Sequence, residues 1–268
     1  MARVYRWPFP GAEPFDRCAK EARLLAALAE AGLAVPVPVI ALTDALLMQR
    51  LAGVPLGDDP SEPAWRSAGA ALRAIHDAGR ALVDGPGVVV AGGVDAFLEG
   101  GWGSWQAAYG RWRAEQLAAR RPSWKSTLDR AAAMLERAVP VLDAAPVTLL
   151  HGDPHPWNVL VDAGECTGWL DWEFALAGDA DYDLTRATRS RLVDLGPVPG
   201  SFFDGYGRRP DPVREAVYEL VYYLHMAEDS FHCAHRATYD AAWTYLADLP
   251  AHLDALKAAI SEGGQRRR

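Results

Sequence analysis

Apolar and polar positions change their period several times along this chain, and the changes mark out its elements. Residues 2–7, "ARVYRW", alternate in character and stop at Pro8, which predicts a short strand followed by the loop "PFPGAEP". "FDRCAKEARLLAALAEAG" then places Cys18, Ala22, Leu25, Ala26 and Leu28 near one helical face, with Gly32 as the stop. Two strand-like pieces follow around "VPVIAL" and "ALLMQR", the prolines of the first marking an edge or a strand beginning, and "LAGVPLGDDPSEP" reads as a connection. Beyond it the helical period dominates, over about 62–78, 103–119, 122–139, 178–190, 211–229 and 236–260. The short apolar runs "VTLL", "NVLV" and "GWLDW" predict small strands with polar residues at their ends, and "GPGVVVAGG" at 85–93 reads as a linker between helices. The closing "EGGQRRR" has the composition of a solvated, frayed terminus.

Composition narrows the choices. At 268 residues and 50% hydrophobic, the chain can bury one large core or two modest lobes. A net charge of -8 argues against a general binder of nucleic acid or anionic membrane and suits a cationic small molecule. No apolar run approaches the roughly 18 to 20 residues that span a bilayer, and "MARVYRWPFPG" lacks the apolar middle of a secretory signal. Cys18, Cys166 and Cys233 are few, odd in number and far apart, as expected of a reducing, cytoplasmic setting.

The densest chemistry lies at 149–162, "LLHGDPHPWNVLVD", where His151, Asp153, His155 and Asn158 crowd between two apolar runs. Thirteen residues beyond Asn158 comes Asp171, in "LDWEF". An Asp in a loop can accept the proton of a substrate hydroxyl, while an Asn oxygen and a second carboxylate can hold a hard cation such as Mg2+. Those are the parts of a phosphoryl-transfer site, which must place a nucleophile, neutralise phosphate charge and keep the reaction in line. Taken alone, Asp153 and Asn158 also suit a polar turn that satisfies its own backbone. The distant Asp171 has no part in such a turn.

"HGDPHPWNVLV" followed by "GWLDWEFALAGDADYDL" resembles the catalytic and metal-binding segments of the aminoglycoside phosphotransferase and choline kinase-like family, relatives of the protein kinases. The resemblance implies that Asp153 is the catalytic base and that Asn158 and Asp171 are Mg2+ ligands facing the phosphates of ATP or GTP. It implies bracing roles for His151 and Asp183, the last closing "GDADYDL", where Asp179 and Asp181 also suit a helix start, while His155 either braces the loop or points toward substrate. At the front, "RVYRWPFPG" is similar to the family's third strand, with Arg6 in place of the usual phosphate-contacting Lys and Glu21 as its helix partner. "LLMQRLAG" matches the connector between lobes, so the backbone near Gln49 to Leu51 is expected to meet the base of the nucleotide. Family members place a phosphate-covering hairpin ahead of that third strand, and only five residues precede Arg6 here. Either the start given lies downstream of the natural one, or the nucleotide lobe is reduced.

For the acceptor, Trp102, Trp105, Trp112 and Trp124 fall in a helical hairpin, and Tyr222, Tyr223, His225, Glu228 and Asp229 follow on a later helix. Aromatics beside carboxylates can hold a cationic amine, although helical spacing also predicts several of them in the core. Glu173, His225, Glu228 and Asp229 are the candidate substrate contacts.

The expected architecture is α+β, a two-lobed protein-kinase-like fold with a truncated N-terminal β lobe over 1–51 and a mainly helical lobe over 52–268. The expected function is a Mg2+-dependent kinase moving the γ-phosphoryl group of ATP or GTP to a hydroxyl of an aminoglycoside-like or other small acceptor. The alternative is a catalytically impaired binding or regulatory protein on the same scaffold.

Overall fold

The computed structural model describes residues 1–4, 14–97, 100–189, 197–232 and 236–266. In chain order the first elements are β1 (Ala2–Val4), α1 (Pro14–Glu30), β2 (Pro38–Ala41), β3 (Ala45–Met48), β4 (Val54–Pro55), α2 (Glu62–Gly79), β5 (Gly87–Val90) and β6 (Gly93–Ala96). There follow α3 (Trp102–Arg120), α4 (Lys125–Asp143), β7 (Val147–Leu150), β8 (Val159–Asp162), β9 (Glu165–Trp169), β10 (Leu176–Asp179) and α5 (Ala180–Arg189). Last come α6 (Gly200–Tyr206), α7 (Pro212–Asp229), α8 (Arg236–Ala247) and α9 (Leu249–Arg266).

The chain packs as two compact units, one built from Met1–Ala96, Pro146–Thr188 and Pro197–Arg209, the other including Phe97–Ala145 and Pro210–Arg268. The first holds three antiparallel sheets, ordered β1-β3-β2, β6-β5-β10-β7 and β4-β8-β9. Its connectivity places the polar motifs. The loop after β7 leaves the second sheet and enters β8 of the third, and the turn after β9 returns from the third sheet to β10 of the second. Both motif loops thus cross between the same two sheets, in opposite directions, and are anchored by paired strands at each end.

Helix α2 lies in this unit with Ala64, Trp65, Ala68, Leu72, Ile75 and His76 buried, a helical stripe, and Pro63 in its first turn costs no hydrogen bond. The fully buried Trp169 and Trp172 flank the second motif, each such side chain adding about 1.5 to 3 kcal/mol by burial. The second unit is helical. Gly103 N, in the first turn of α3, donates to Asp143 Oδ1 at the end of α4 (2.6 Å), and Trp102 Nε1 donates to the Tyr218 hydroxyl on α7 (2.8 Å). Asp211 caps α7 by accepting from Val213 N and Arg214 N, with Pro212 at the first helical position.

Three expectations change. "GPGVVVAGG" is a hairpin, β5 to β6, and β5 joins the second sheet through Val88 opposite Leu176. Its glycines look like linker residues because Gly87 must let the partner strand close in, where an added Cβ would meet Asp95 O at 2.2 Å. The helix expected from 178 begins at Ala180, because Leu176–Asp179 continues as strand β10 and the Asp179 carboxylate accepts from Asp181 N (3.1 Å). The helix expected over 236–260 is two, α8 and α9, parted at Asp248, and Pro250 suits a new helix start and not a helix interior. Among the described residues, no helix is long and apolar enough to cross a membrane.

Candidate active site

The loop from His151 to Asn158 is fixed chiefly by its backbone. Gly152 has φ +83°, and a Cβ there would lie 2.0 Å from Phe174 O, so only glycine lets this loop approach the turn that carries Asp171. Asp183 on α5, fully buried, accepts from the amides of His151 (2.7 Å) and Gly152 (3.0 Å). Burial works against its charge, but the hydrogen bond from His76, the nearby His76 and His151 rings and the His151 amide together hold it below the usual carboxylate range. The His76 ring, 2% exposed on α2, brings Nε2 within 3.1 Å of Asp183 and Nδ1 within 2.8 Å of the Tyr206 hydroxyl. Since an ionised Asp183 can only accept, Nε2 carries the hydrogen.

His151 is held on both sides of its ring. Its ring packs against Trp172 and Trp169, with centroids 4.7 and 5.5 Å away, and its Nε2–H donates to Leu170 O (2.7 Å). Nδ1 accepts from Asp153 N (3.3 Å), and burial pushes the ring's pKa down against the pull of Asp183, so the ring is neutral with its hydrogen on Nε2. His155 braces the next turn: its amide donates to Asp153 O (3.0 Å), and its Nδ1 accepts from Trp157 N (3.2 Å). Its Nε2 lies 3.5 Å from Asp153 Oδ2, while Oδ1 of the same carboxylate meets Arg186 Nη2 of α5 at 3.3 Å.

Asn158 and Asp171 are drawn to the same loop. Asn158 Nδ2 donates to Asp153 O (3.0 Å), and the amide of Leu170, next to Asp171, donates to Asn158 O (2.7 Å). Asp171 sits in the left-handed region, φ 67° and ψ 67°, a conformation that Asp tolerates better than most residues at a cost of about 1 kcal/mol. The buried Glu21 of α1 helps to hold this turn, its Oε1 accepting from Trp172 N (3.1 Å).

Glu21 also pairs with Arg3 of β1 (Nε to Oε2, 3.3 Å), where the expected partner was Arg6. The same guanidinium reaches Asp171 Oδ1 (2.6 Å) and Glu173 Oε1 (3.1 Å). Burial opposes the Arg3 charge, but Glu21, then Asp171 and Glu173, outweigh it and raise the pKa above the ordinary arginine value. Arg6 lies outside the described residues. Glu173 is further held by Arg17 (3.0 Å), and Lys20 Nζ donates to its carbonyl. Beyond β3, Gln49 N donates to Val37 O (2.8 Å), and among the described residues no hydrogen bond engages Gln49 O or Leu51 N.

The remaining candidates lie in the helical unit, on α7. His225 Nδ1 and the Tyr109 hydroxyl are 2.5 Å apart, and Arg113 donates to the same hydroxyl (2.9 Å). Glu228, 4% exposed, is bound by Arg113 and by His232 Nε2 (3.0 Å), and the Asp229 carbonyl accepts from His232 N (2.8 Å). Trp105 stacks between Phe97 and Tyr109, with centroids 4.5 and 5.6 Å away. Trp102 is buried, Trp112 is exposed, and Trp124 meets Trp243 edge-on at 5.7 Å.

Three residues of the first unit that meet the candidate residues were not singled out from the sequence. Arg3 was one of two arginines in the strand predicted over 2–7; in the structure β1 sets Arg3 opposite the buried Leu46. His76 had no signal beyond being a lone polar residue on an apolar stripe. Arg186 falls three residues after Asp183, one helical turn along the same face.

An ion such as Mg2+ fits the donors present. With its amide nitrogen turned to Asp153 O, Asn158 keeps Oδ1 as an acceptor, and the Asp171 carboxylate, 30% exposed, supplies hard anionic oxygen. Among the described residues no group of three or more His, Cys, Asp or Glu side chains could hold a metal ion.

The sequence matches the profile of the phosphotransferase enzyme family over residues 3–220, and no curated protein matches it. Among solved structures it is similar to a thermostable mutant of aminoglycoside phosphotransferase APH(4)-Ia in ternary complex with ADP and hygromycin B (TM-score 0.66, 19% identity, 90% of this chain and 82% of that one). It is also similar to the macrolide 2'-phosphotransferase MphH from Brachybacterium faecium (TM-score 0.55, 24% identity, 91% and 83%). A third likeness is to APH(2")-IIa in complex with gentamicin (TM-score 0.61, 14% identity, 94% and 86%). These likenesses show the kinase-like fold of the aminoglycoside phosphotransferases. With its profile match running from β1 into α7, through the loop of Asp153 and the turn of Asp171, the chain belongs to the phosphotransferase enzyme family.

Proposed function

We propose that this protein is a Mg2+-dependent small-molecule kinase that moves the γ-phosphoryl group of ATP or GTP to a hydroxyl of an aminoglycoside-like or other small acceptor. The observation that supports this reading is the pair of hydrogen bonds from Asn158 Nδ2 to Asp153 O and from Leu170 N to Asn158 O, which ties the loop of Asp153 and Asn158 to the turn that carries Asp171. Asp153 orients the acceptor hydroxyl and takes its proton. Asn158 and Asp171 would hold Mg2+, whose role when bound is to neutralise charge on the nucleotide phosphates. Arg3, fixed by Glu21, holds the Asp171 carboxylate, and Gln49 O with Leu51 N offers an acceptor and a donor to the edge of the base. Turnover with a nucleoside triphosphate suits a cytoplasmic protein.

Phosphotransferases of known structure that share this fold bind hygromycin B and gentamicin, and another is a macrolide 2'-phosphotransferase, which sets the first acceptors to try. Purified protein incubated with labelled nucleotide, Mg2+ and a panel of aminoglycosides, macrolides, choline-like amines and sugars should phosphorylate at least one of them. Asp153→Asn should abolish the product. The reading fails if no acceptor is modified and slow nucleotide hydrolysis is the same in wild type and variant.

A further inference from the structure

Arg186 stands at the base and has no part in the roles assigned so far. It projects from α5 one turn beyond Asp183, and its Nη2 lies 3.3 Å from Asp153 Oδ1. Tyr182, one turn earlier, steadies it, with the guanidinium carbon 5.6 Å from the ring centroid and Nη1 3.4 Å from the hydroxyl. One helix therefore reaches the catalytic loop twice: Asp183 holds the backbone, and Arg186 touches the carboxylate at the centre of it.

Building on the kinase reading, we propose that Arg186 is a catalytic residue that contacts the transferring phosphoryl group and neutralises the charge it carries in the transition state. In that step the acceptor oxygen forms its bond to Pγ while the bond from Pγ to the bridging oxygen breaks. That electron pair leaves with the nucleoside diphosphate, and the acceptor's proton passes to Asp153. Charge is then spread over the three equatorial oxygens of the phosphoryl group. The acceptor oxygen lies between Asp153 and Pγ, so a cation in hydrogen-bond contact with Asp153 is one short swing from those oxygens, and a planar guanidinium can grip two of them. The other arginine of the site is committed elsewhere, since Arg3 is shared among Glu21, Asp171 and Glu173. Among the described residues, Arg186 is the arginine or lysine that contacts Asp153.

The test compares Arg186→Gln and Arg186→Lys with wild type in turnover, in the affinity for ADP or GDP with Mg2+, and in the same titration with aluminium fluoride as a mimic of the transferring group. Arg186→Gln should lower kcat by about 100-fold or more while the diphosphate dissociation constant stays within about twofold, and most of the extra affinity conferred by aluminium fluoride should vanish. Arg186→Lys should restore part of both, because the charge remains without the fork. If the Gln variant does not fold, the Lys variant decides, with a fall of about tenfold expected and unchanged turnover overturning the proposal. A well-folded Arg186→Gln that keeps kcat within about threefold, or keeps the full fluoride effect, also overturns it. Turnover that needs Asp153 but not Arg186 defeats this proposal alone; a wild type that neither binds nucleotide nor turns over defeats the kinase reading and this one with it.

Discussion

The carboxylate of Asp183 closes on the backbone amide of His151 at 2.7 Å, tying the start of the catalytic loop to the first turn of α5. The same carboxylate takes the Gly152 amide and the His76 ring, so three donors converge on one buried anion. Removing that anion orphans all three. Asp183→Ala should destabilise the protein by about 3 kcal/mol or more, read from urea unfolding, and His76→Leu should cost less, because two of the three bonds survive.

Two buried groups contribute to the acid limb of stability. His151 has its folded pKa below that of the unfolded chain, so below about pH 6.5 the unfolded state binds the extra proton and stability falls. The folded pKa of Asp183 is depressed as well, so its contribution is complete above about pH 4 and is lost as pH drops through the lower, folded value. Unfolding free energy measured against pH should therefore decline in two stages, and a His151→Gln variant should lack the upper one.

Gly152→Ala places a methyl group 2.0 Å from Phe174 O at a backbone angle of φ +83°. The catalytic loop and the Asp171 turn must then part, with an expected fall in kcat of about 100-fold or more, since small misplacements of reacting groups are that costly. Steady-state kinetics on the folded variant would check it.

Arg3 is bound to three carboxylates, and Glu21 is almost wholly buried. Arg3→Met should take the Arg3 cation from the buried Glu21 and cost about 3 kcal/mol of stability. Arg3→Lys should fold, yet raise the nucleotide KM by about tenfold, because an ammonium cannot reproduce the fork that reaches Glu21 and Asp171 together.

Glu228 separates structural from substrate-binding carboxylates. It is 4% exposed and already engaged by Arg113 and His232, so Glu228→Ala should lower stability by about 3 kcal/mol through the stranded guanidinium. Acceptor KM should change little by comparison. A variant that melts like wild type but binds acceptor poorly would return Glu228 to the substrate-binding residues.

The parts of the site that were legible in the sequence are those where polar residues interrupt apolar runs. Asp153, Asn158 and Asp171 lie in the loops beside short buried strands, where polar residues break the apolar pattern and stand out. His76 and Arg186 sit inside helices, where a single polar residue fits the pattern as well as any other, and only the packing of α2 and α5 gives each its partner. The β5 to β6 hairpin was hidden by its own glycines, which serve close strand approach and look like linker composition. The break between α8 and α9 was likewise masked by a helical period that runs on across it.

Helix α1 meets the Asp171 turn through Arg17, Lys20 and Glu21, which hold the Glu173 carboxylate, the Glu173 carbonyl and the Trp172 amide. Their spacing of three and one puts all three on a single side of the helix. They act as one latch: a twist or slide of α1 that moves one of them moves the others, because a single rigid helix carries all three.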